Sequence, residues 1–158
     1  MEFSIDDRPI LLIDDDQDVG FFMERLLRAS GIPNPLWTLS GGTEAVAALS
    51  ELSYNRASEA TWPLIVLVDL KMPVMSGLDF LQWLQGQWEF SAIPRIVLSS
   101  SGDVRDVQRA YELGANGFLM KYPSPATFRA ITRFAGESHS AQELATTRFA
   151  QEGYWQHR

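Results

Sequence analysis

Polar residues that could do chemistry follow short apolar runs at four places in this chain. They are Asp14-Asp15-Asp16, Asp69, Ser99-Ser100-Ser101 and Lys121. Carboxylates crowded together repel one another, and proteins tolerate such a cluster where a hard divalent cation binds it. Mg²⁺ takes one or two carboxylates and leaves its other positions for water and phosphate. An ammonium and a hydroxyl opposite the metal would hold the oxygens of a transferring phosphoryl group. These residue types therefore predict Mg²⁺-dependent phosphoryl transfer.

The elements that must position these side chains alternate between strand and helix. Continuous apolar runs are typical of strands buried on both faces, and they occupy residues 9–13, 36–39, 64–68, 95–99 and 118–121. Apolar residues at helical spacing follow each run. The predicted helix starts are Thr43, Ser76 with Asp79, Asp103 with Asp106, and Ser124 before Pro125. The fifth helix is expected to run to about Gly136.

This alternation predicts an α/β fold with a doubly wound, five-stranded parallel sheet covered by helices on both faces. In such a sheet, ligands bind beyond the carboxyl ends of the strands. Because all four polar positions follow strand ends, we expect them to share one rim. The domain is expected to cover residues 1–136. The polar extension at residues 137–158 predicts a short sixth helix.

The composition excludes several other classes of protein. The chain has 158 residues, of which 46% are hydrophobic and 21% charged, as in an ordinary globular domain. A formal charge of −7 has the wrong sign for a nucleic-acid binder. The absence of cysteine excludes disulfides and thiol chemistry and suits the cytoplasm. The sequence contains neither a signal peptide nor an apolar run of membrane-spanning length. We therefore expect a cytoplasmic domain that binds neither nucleic acid nor membrane.

The chain resembles the receiver domain of two-component response regulators over residues 9–135. Four motifs in the family's order carry the resemblance: Leu12-Ile13-Asp14-Asp15-Asp16, Val68-Asp69-Leu70-Lys71-Met72-Pro73-Val74-Met75-Ser76-Gly77, Ile96-Val97-Leu98-Ser99-Ser100 and Gly114-Ala115-Asn116-Gly117-Phe118-Leu119-Met120-Lys121. The resemblance implies a flavodoxin-like receiver fold of five β-α units with strand order 2-1-3-4-5.

The resemblance also implies roles for the acidic residues. Asp69 would accept a phosphoryl group from a phosphohistidine of a sensor histidine kinase or a histidine phosphotransfer protein. Asp15 and Asp69 would ligate Mg²⁺, or Mn²⁺, directly. The backbone carbonyl of Lys71 would be a further ligand, and Asp14 would act through a coordinated water. Asp16 would be a spare, solvated acid.

Other positions match the family's switch and lifetime residues. Ser99 matches the hydroxyl that turns to bind the acyl phosphate, Lys121 matches the lysine that pairs with it, and Phe118 matches the aromatic whose rotamer reports activation. Lys71 and Ser101 match positions that tune hydrolysis of the acyl phosphate. We expect the long Lys71 side chain to shield the phosphoryl group in part.

The end of the fifth strand departs from the family pattern. The family has Lys-Pro there, with a cis bond that orients the lysine, whereas this chain has Lys121-Tyr122-Pro123. Either the loop keeps the cis bond or it takes another path. The position of Lys121 therefore stays open at this point.

Each of these residues also has an ordinary structural interpretation. The acids could be helix caps and turn formers, Ser99 and Lys121 could be solvated residues after strands, and Phe118 could be a packed core aromatic. One rival function is a receiver-like module that binds partners without being phosphorylated. Another is an Mg²⁺-dependent aspartyl-phosphate hydrolase. It is disfavoured because Leu70-Lys71 provides no second Asp two residues after Asp69 and no cap domain is present.

The residues after the fifth helix are too few for a DNA-binding or catalytic output module. We therefore expect a single-domain regulator, not an enzyme beyond its own phosphorylation and dephosphorylation, that signals to a downstream protein by contact. The polar stretch before the third strand, Lys121-Tyr122 and the C-terminal extension are similar to stand-alone receivers that partner phytochrome-type kinases. A homodimer would use the fourth helix, fifth strand and fifth helix together with residues 137–158.

Overall fold

A computed structural model describes residues 7–55, 61–137, 139–149 and 155–157. Residues 1–6 of the predicted domain, and most of the polar stretch before the third strand, lie outside the described residues. The strands are β1 (Ile10–Ile13), β2 (Leu36–Leu39), β3 (Ile65–Val68), β4 (Arg95–Ser99), β5 (Gly117–Met120), β6 (Thr147–Phe149) and β7 (Trp155–His157). The helices are α1 (Gln17–Ala29), α2 (Gly42–Tyr54), α3 (Gly77–Gln85), α4 (Val104–Glu112), α5 (Pro125–Gly136) and α6 (Ala141–Ala145).

The first five strands form one parallel sheet in the order β2-β1-β3-β4-β5, which confirms the predicted α/β fold and strand order. Ile13 pairs with Val68, so Asp14 and Asp69 leave adjacent strands at the same level. Ser99 pairs with Met120, so Lys121 follows one residue beyond this pair. The register thereby brings all the predicted polar positions to one edge of the sheet.

Two apolar layers enclose the sheet. Every residue of β1, β3 and β4 is buried, as the continuous apolar runs predicted. One face packs against α2, α3 and α4, and the other packs against α1 and α5. Among the described residues, no helix is both long enough and apolar enough to cross a membrane.

The helix starts follow the predicted capping signals with one exception. Ser76 and Asp79 form a capping box, Asp103 caps α4, and Ser124 caps α5 with Pro125 in its first turn. The predicted start at Thr43 is wrong. Helix α2 begins at Gly42, its N-cap is Gly41, and no side chain caps it. The Met75 side chain lies 2.7 Å from where a Cβ on Gly42 would be, so only glycine leaves room for this packing.

The C-terminal extension contains more than the short helix expected there. After the five residues of α6, strands β6 and β7 pair as an antiparallel hairpin that the sequence pattern did not indicate. Three-residue strands are too short to show a two-residue alternation of apolar side chains, which is the usual sequence signal.

Candidate functional site

Three carboxylates meet where β1 and β3 end. Asp14, Asp15 and Asp69 each place one oxygen within 4.8 Å of the others. Asp14 is 7% exposed and Asp69 is 8% exposed, because both follow buried strands directly, whereas Asp15 faces solvent. The backbone N–H of Asp69 donates to the Ile13 carbonyl at 2.9 Å, which ties the two strand ends together.

Lys121 reaches into this cluster. Its Nζ lies 2.7 Å from Asp14 Oδ2 and 3.3 Å from Asp69 Oδ1. Burial alone would lower the pKa of Lys121, but the hydrogen bond to Asp14 and the charges of Asp69 and Asp14 outweigh it and raise that pKa. The Lys121–Tyr122 peptide bond is cis, and the Lys121 N–H donates to the Ser99 carbonyl at 2.9 Å. The loop therefore keeps the cis geometry although tyrosine replaces proline.

Asp14 is held on both of its oxygens. Oδ2 accepts from Lys121, and Oδ1 accepts the Asp16 backbone N–H at 2.9 Å. Asp16, expected to be a spare acid, is exposed but has a structural task, because its carboxylate accepts the Asp18 N–H and caps α1. The Asp16 backbone N–H and the Lys121 ammonium together fix the orientation of the Asp14 carboxylate.

The electrostatics of Asp69 favour a bound cation. Burial and the neighbouring Asp14 charge raise the pKa of Asp69, and Lys121 counteracts this only in part. The cluster offers only carboxylate oxygens, close enough together for one ion, and Lys121 leaves part of their charge uncompensated. This donor set fits Mg²⁺ or Mn²⁺.

The turn after Asp69 brings helix α3 against the backbone of the site. The Gly77 N–H donates to the Leu70 carbonyl at 2.8 Å, and a Cβ on Gly77 would lie 2.2 Å from the Asp69 carbonyl oxygen. Val74 in the same turn has φ 69° and is 98% exposed, so a β-branched residue adopts the left-handed region. Lys71 is exposed beside this turn.

Ser99 lies at the end of β4 with its hydroxyl turned toward its own loop. Its Oγ donates to the Ser101 carbonyl at 2.7 Å and accepts the Ser101 N–H at 3.2 Å. Ser99 is buried, Ser101 is exposed, and Phe118 is buried in the core layer beneath α4. The structure thus brings Asp14, Asp15, Asp69 and Lys121 together, whereas the Ser99 hydroxyl bonds to its own loop.

Exposed aromatic side chains adjoin the carboxylate cluster on the α1 side. The rings of Phe22 and Tyr122 lie 6.0 Å apart, and Phe21 lies 6.0 Å from Phe22. All three are exposed. The sequence did not single out this patch, because two phenylalanines in a helix ordinarily indicate a buried face.

The sequence and the fold are similar to known proteins. The profile of the response regulator receiver domain matches residues 10–133. The DNA-binding response regulator MtrA of Mycolicibacterium paratuberculosis is 31% identical over 124 residues, which are 78% of this chain and 49% of MtrA. The chain thus spans about half the length of MtrA. The probable methanogenesis regulatory protein FilR2 of Methanothrix harundinacea is 29% identical over 128 residues, 81% of this chain and 79% of FilR2. The solved structure of the bacteriophytochrome response regulator AtBRR has a TM-score of 0.68 at 32% identity, covering 84% of this chain and 95% of AtBRR.

Proposed function

Because the chain belongs to the response regulator receiver family, a family of signalling modules, we propose that it accepts a phosphoryl group on Asp69. The donor is a phosphohistidine of a sensor histidine kinase or a histidine phosphotransfer protein. The observation that carries the proposal is the position of Asp69, nearly buried, within 4.8 Å of two further carboxylates and 3.3 Å from the Lys121 ammonium.

In the proposed reaction, an Asp69 carboxylate oxygen attacks phosphorus and the P–N bond to the donor imidazole breaks. The electron pair of that bond stays on the imidazole nitrogen. A divalent cation held by Asp14, Asp15, Asp69 and the Lys71 carbonyl would neutralise the charge on the phosphoryl oxygens. Lys121 is within reach of Asp69 and supplies a second positive charge at the same place.

The change that follows phosphorylation is proposed to begin at Ser99. Its hydroxyl leaves the Ser101 carbonyl, to which it now donates, and turns to the acyl phosphate. Phe118 then repacks beneath α4. Lys71 and Ser101 set how long the acyl phosphate lasts, with the Lys71 side chain shielding it in part. An unchanged dephosphorylation rate in Lys71→Ala contradicts the shielding role.

The proposed partners approach from two sides. The aromatic patch of Phe21, Phe22 and Tyr122 includes the residue after Lys121, whose ammonium lies 3.3 Å from Asp69, so a donor protein that delivers its histidine to Asp69 would cover the patch. Output to a downstream protein, or to a second copy of the chain, would use α4, β5 and α5. The similarity to a bacteriophytochrome response regulator favours a phytochrome-type kinase as the donor.

Intact-mass measurement after incubation with Mg²⁺ and acetyl phosphate tests the proposed chemistry. We expect one added phosphoryl group on the wild-type chain, and none on Asp69→Asn or in EDTA. The adduct is expected to be acid-stable and base-labile, as an acyl phosphate is. Mg²⁺ binding without any adduct, from acetyl phosphate or from a kinase, would instead support the partner-binding module. Hydrolysis of added phosphate esters with turnover would support the hydrolase.

A further inference from the structure

The segment after α5 folds back onto the receiver and packs closely. We call residues 139–149 the C-terminal strap. His139 stacks on Phe134 of α5 with ring centroids 4.0 Å apart, and Ser140 with Glu143 forms a capping box for α6. Leu144, Thr147 and Phe149 are buried. The strap is therefore part of the packed domain.

Asn116 clamps the strap to the sheet. Its Nδ2 donates to the carbonyls of Leu144 and Thr147, both at 2.9 Å, and its Oδ1 accepts the Arg95 backbone N–H at 3.1 Å. The Phe149 N–H donates to the Asn116 carbonyl at 2.6 Å. Because Asn116 is itself buried, both of its amide donors depend on carbonyls of the strap for their hydrogen bonds.

Phe149 completes this attachment from the apolar side. A Cβ on Gly117 would lie 3.4 Å from the Phe149 Cβ, which places the phenylalanine directly against the start of β5. Phe149 joins the same core layer as Ile96 and Phe128. The strap is thus fixed to the starts of β4 and β5, at the end of the sheet opposite the carboxylates.

From this anchor the strap reaches α4. The Arg148 guanidinium carbon lies over the Tyr111 ring, 4.1 Å from its centroid. Within α4, all of which is described, Ala110 is the one fully buried residue, and Val104 at its start is mostly exposed. The Gln85 side chain donates to the Glu112 carbonyl, also near the C-terminal end. The contacts that locate α4 are therefore concentrated in its second half.

The first half of α4 joins the loop that carries Ser99. Asp103, the N-cap of α4, comes two residues after Ser101, whose carbonyl accepts the Ser99 hydroxyl. A rotation of that hydroxyl toward Asp69 would break this hydrogen bond in the loop that leads into α4. We infer that the C-terminal strap is autoinhibitory: through the Arg148–Tyr111 contact it holds α4, and through α4 the Ser99 loop, in the unphosphorylated arrangement.

Reciprocity follows from this coupling. A contact that α4 makes in one arrangement and loses in the other stabilises the arrangement that has the contact. If the contact disfavours phosphorylation by some factor, phosphorylation must weaken the contact by that same factor. Removing Arg148 should therefore speed phosphorylation of Asp69. A phosphoryl mimic at Asp69 should loosen the strap. The phosphorylation half of this inference rests on the proposed function, whereas the effect of the strap on α4 does not.

Hydrogen exchange of the metal-free protein tests the structural half. We expect Arg148→Ala to accelerate exchange in residues 99–107 by about two- to tenfold, the factor that corresponds to one cation–π contact. Arg109→Ala is the matched control, because Arg109 is an exposed arginine on α4 that pairs with Glu112 at the surface. Arg148→Lys keeps a cation over the ring and should stay close to wild type. Unchanged exchange in Arg148→Ala overturns the inference.

Labelling by acetyl phosphate with Mg²⁺ tests the functional half on the full chain. Arg148→Ala should be labelled about two- to tenfold faster than wild type and Arg109→Ala. In the wild type, beryllofluoride with Mg²⁺ should accelerate exchange of the strap amides, including Phe149. An unchanged or slower labelling rate overturns the inference. Failure of the wild type to be labelled at all contradicts the proposed function instead, and exchange in residues 99–107 then decides whether the strap holds α4.

Discussion

Replacement of Lys121 by methionine removes the one cation that the described residues place among the three carboxylates. The substitution keeps the length of the side chain and most of its volume, so its main effect is electrostatic. We expect it to destabilise the metal-free protein strongly at pH 7 and to destabilise the Mg²⁺-loaded protein much less. The difference between the two conditions is the quantity of interest.

The distances give the size of the effect. With an effective dielectric constant of about 20, Lys121 attracts Asp14 at 2.7 Å by about 6 kcal/mol and Asp69 at 3.3 Å by about 5 kcal/mol. Each pair of carboxylates within 4.8 Å repels by at least about 3.5 kcal/mol. Attraction by the lysine therefore roughly offsets repulsion among the acids. Protonation of Asp69 and entry of water both reduce the repulsion that is left when the lysine is removed. We therefore expect the free energy of unfolding to fall by only about 3 kcal/mol.

Urea unfolding at pH 7, in EDTA and again in millimolar Mg²⁺, measures both values. A divalent cation supplies the charge that methionine lacks, so the deficit should fall below about 1 kcal/mol in Mg²⁺. Lys71→Met is the control, since Lys71 is exposed and should change stability by less than about 0.5 kcal/mol.

The pH dependence gives a second check on the same variant. Lys121 has a raised pKa, so its contribution to stability is complete at neutral pH and is lost only as pH rises through that pKa. Without the lysine, Asp69 binds a proton more readily in the folded state, so the deficit in EDTA should shrink as pH falls from 7 toward 5. An equal deficit with and without Mg²⁺, or one that does not change with pH, would refute the electrostatic account of the site.

Three further substitutions test the site and its turn by urea unfolding. Asp69→Asn should stabilise the metal-free protein by about 1 kcal/mol at pH 7, because the raised pKa of Asp69 means that its ionisation opposes folding as pH rises. A gain in stability that persists at acid pH, where Asp69 is protonated, contradicts this explanation. Gly77→Ala should lower the free energy of unfolding by about 3 kcal/mol and weaken Mg²⁺ binding, since the new Cβ would lie 2.2 Å from the Asp69 carbonyl oxygen. Wild-type stability in this variant would show that the turn can open to admit the methyl group. Val74→Asn should stabilise the protein by about 1 kcal/mol, because asparagine tolerates φ 69° and the exposed valine side chain makes little apolar contact to lose. Equal or lower stability would show that valine is not strained there.

The strand ends of the site could be predicted from sequence because they depend on short-range patterns. Continuous apolar runs that stop at Asp14 and Asp69 mark where two buried strands end, and parallel pairing then aligns those ends, as the Ile13–Val68 register confirms. The Ser76 capping box marks the return of the chain into α3 in the same local way. No pairing between distant residues had to be known for these predictions.

Features that depend on distant backbone atoms left no such pattern. Asn116 lies within a motif that was recognised, yet its amide bonds to carbonyls of Leu144 and Thr147, and any residue offers a carbonyl. The start of α2 was misplaced because the helix begins after Gly41 without a side-chain cap, so no capping residue marks it in the sequence. The loop after Lys121 was open because a peptide bond before tyrosine, unlike one before proline, strongly prefers the trans form, so the sequence does not indicate the cis bond found there.

The two halves of the site differ in how firmly they are held, and this difference suits the proposed signalling. Asp14 and Asp69 leave fully buried strands in the middle of the sheet, and a backbone hydrogen bond from Asp69 to Ile13 joins those strands. Ser99 also leaves a buried strand, but its hydroxyl is held by a short loop that leads into the sparsely buried α4. In the proposed function, a site built this way would keep the carboxylates that hold the metal fixed while the Ser99 side responds to the phosphoryl group. The strap acts on the side that moves, so it can change the response of the receiver without altering the geometry of the carboxylates.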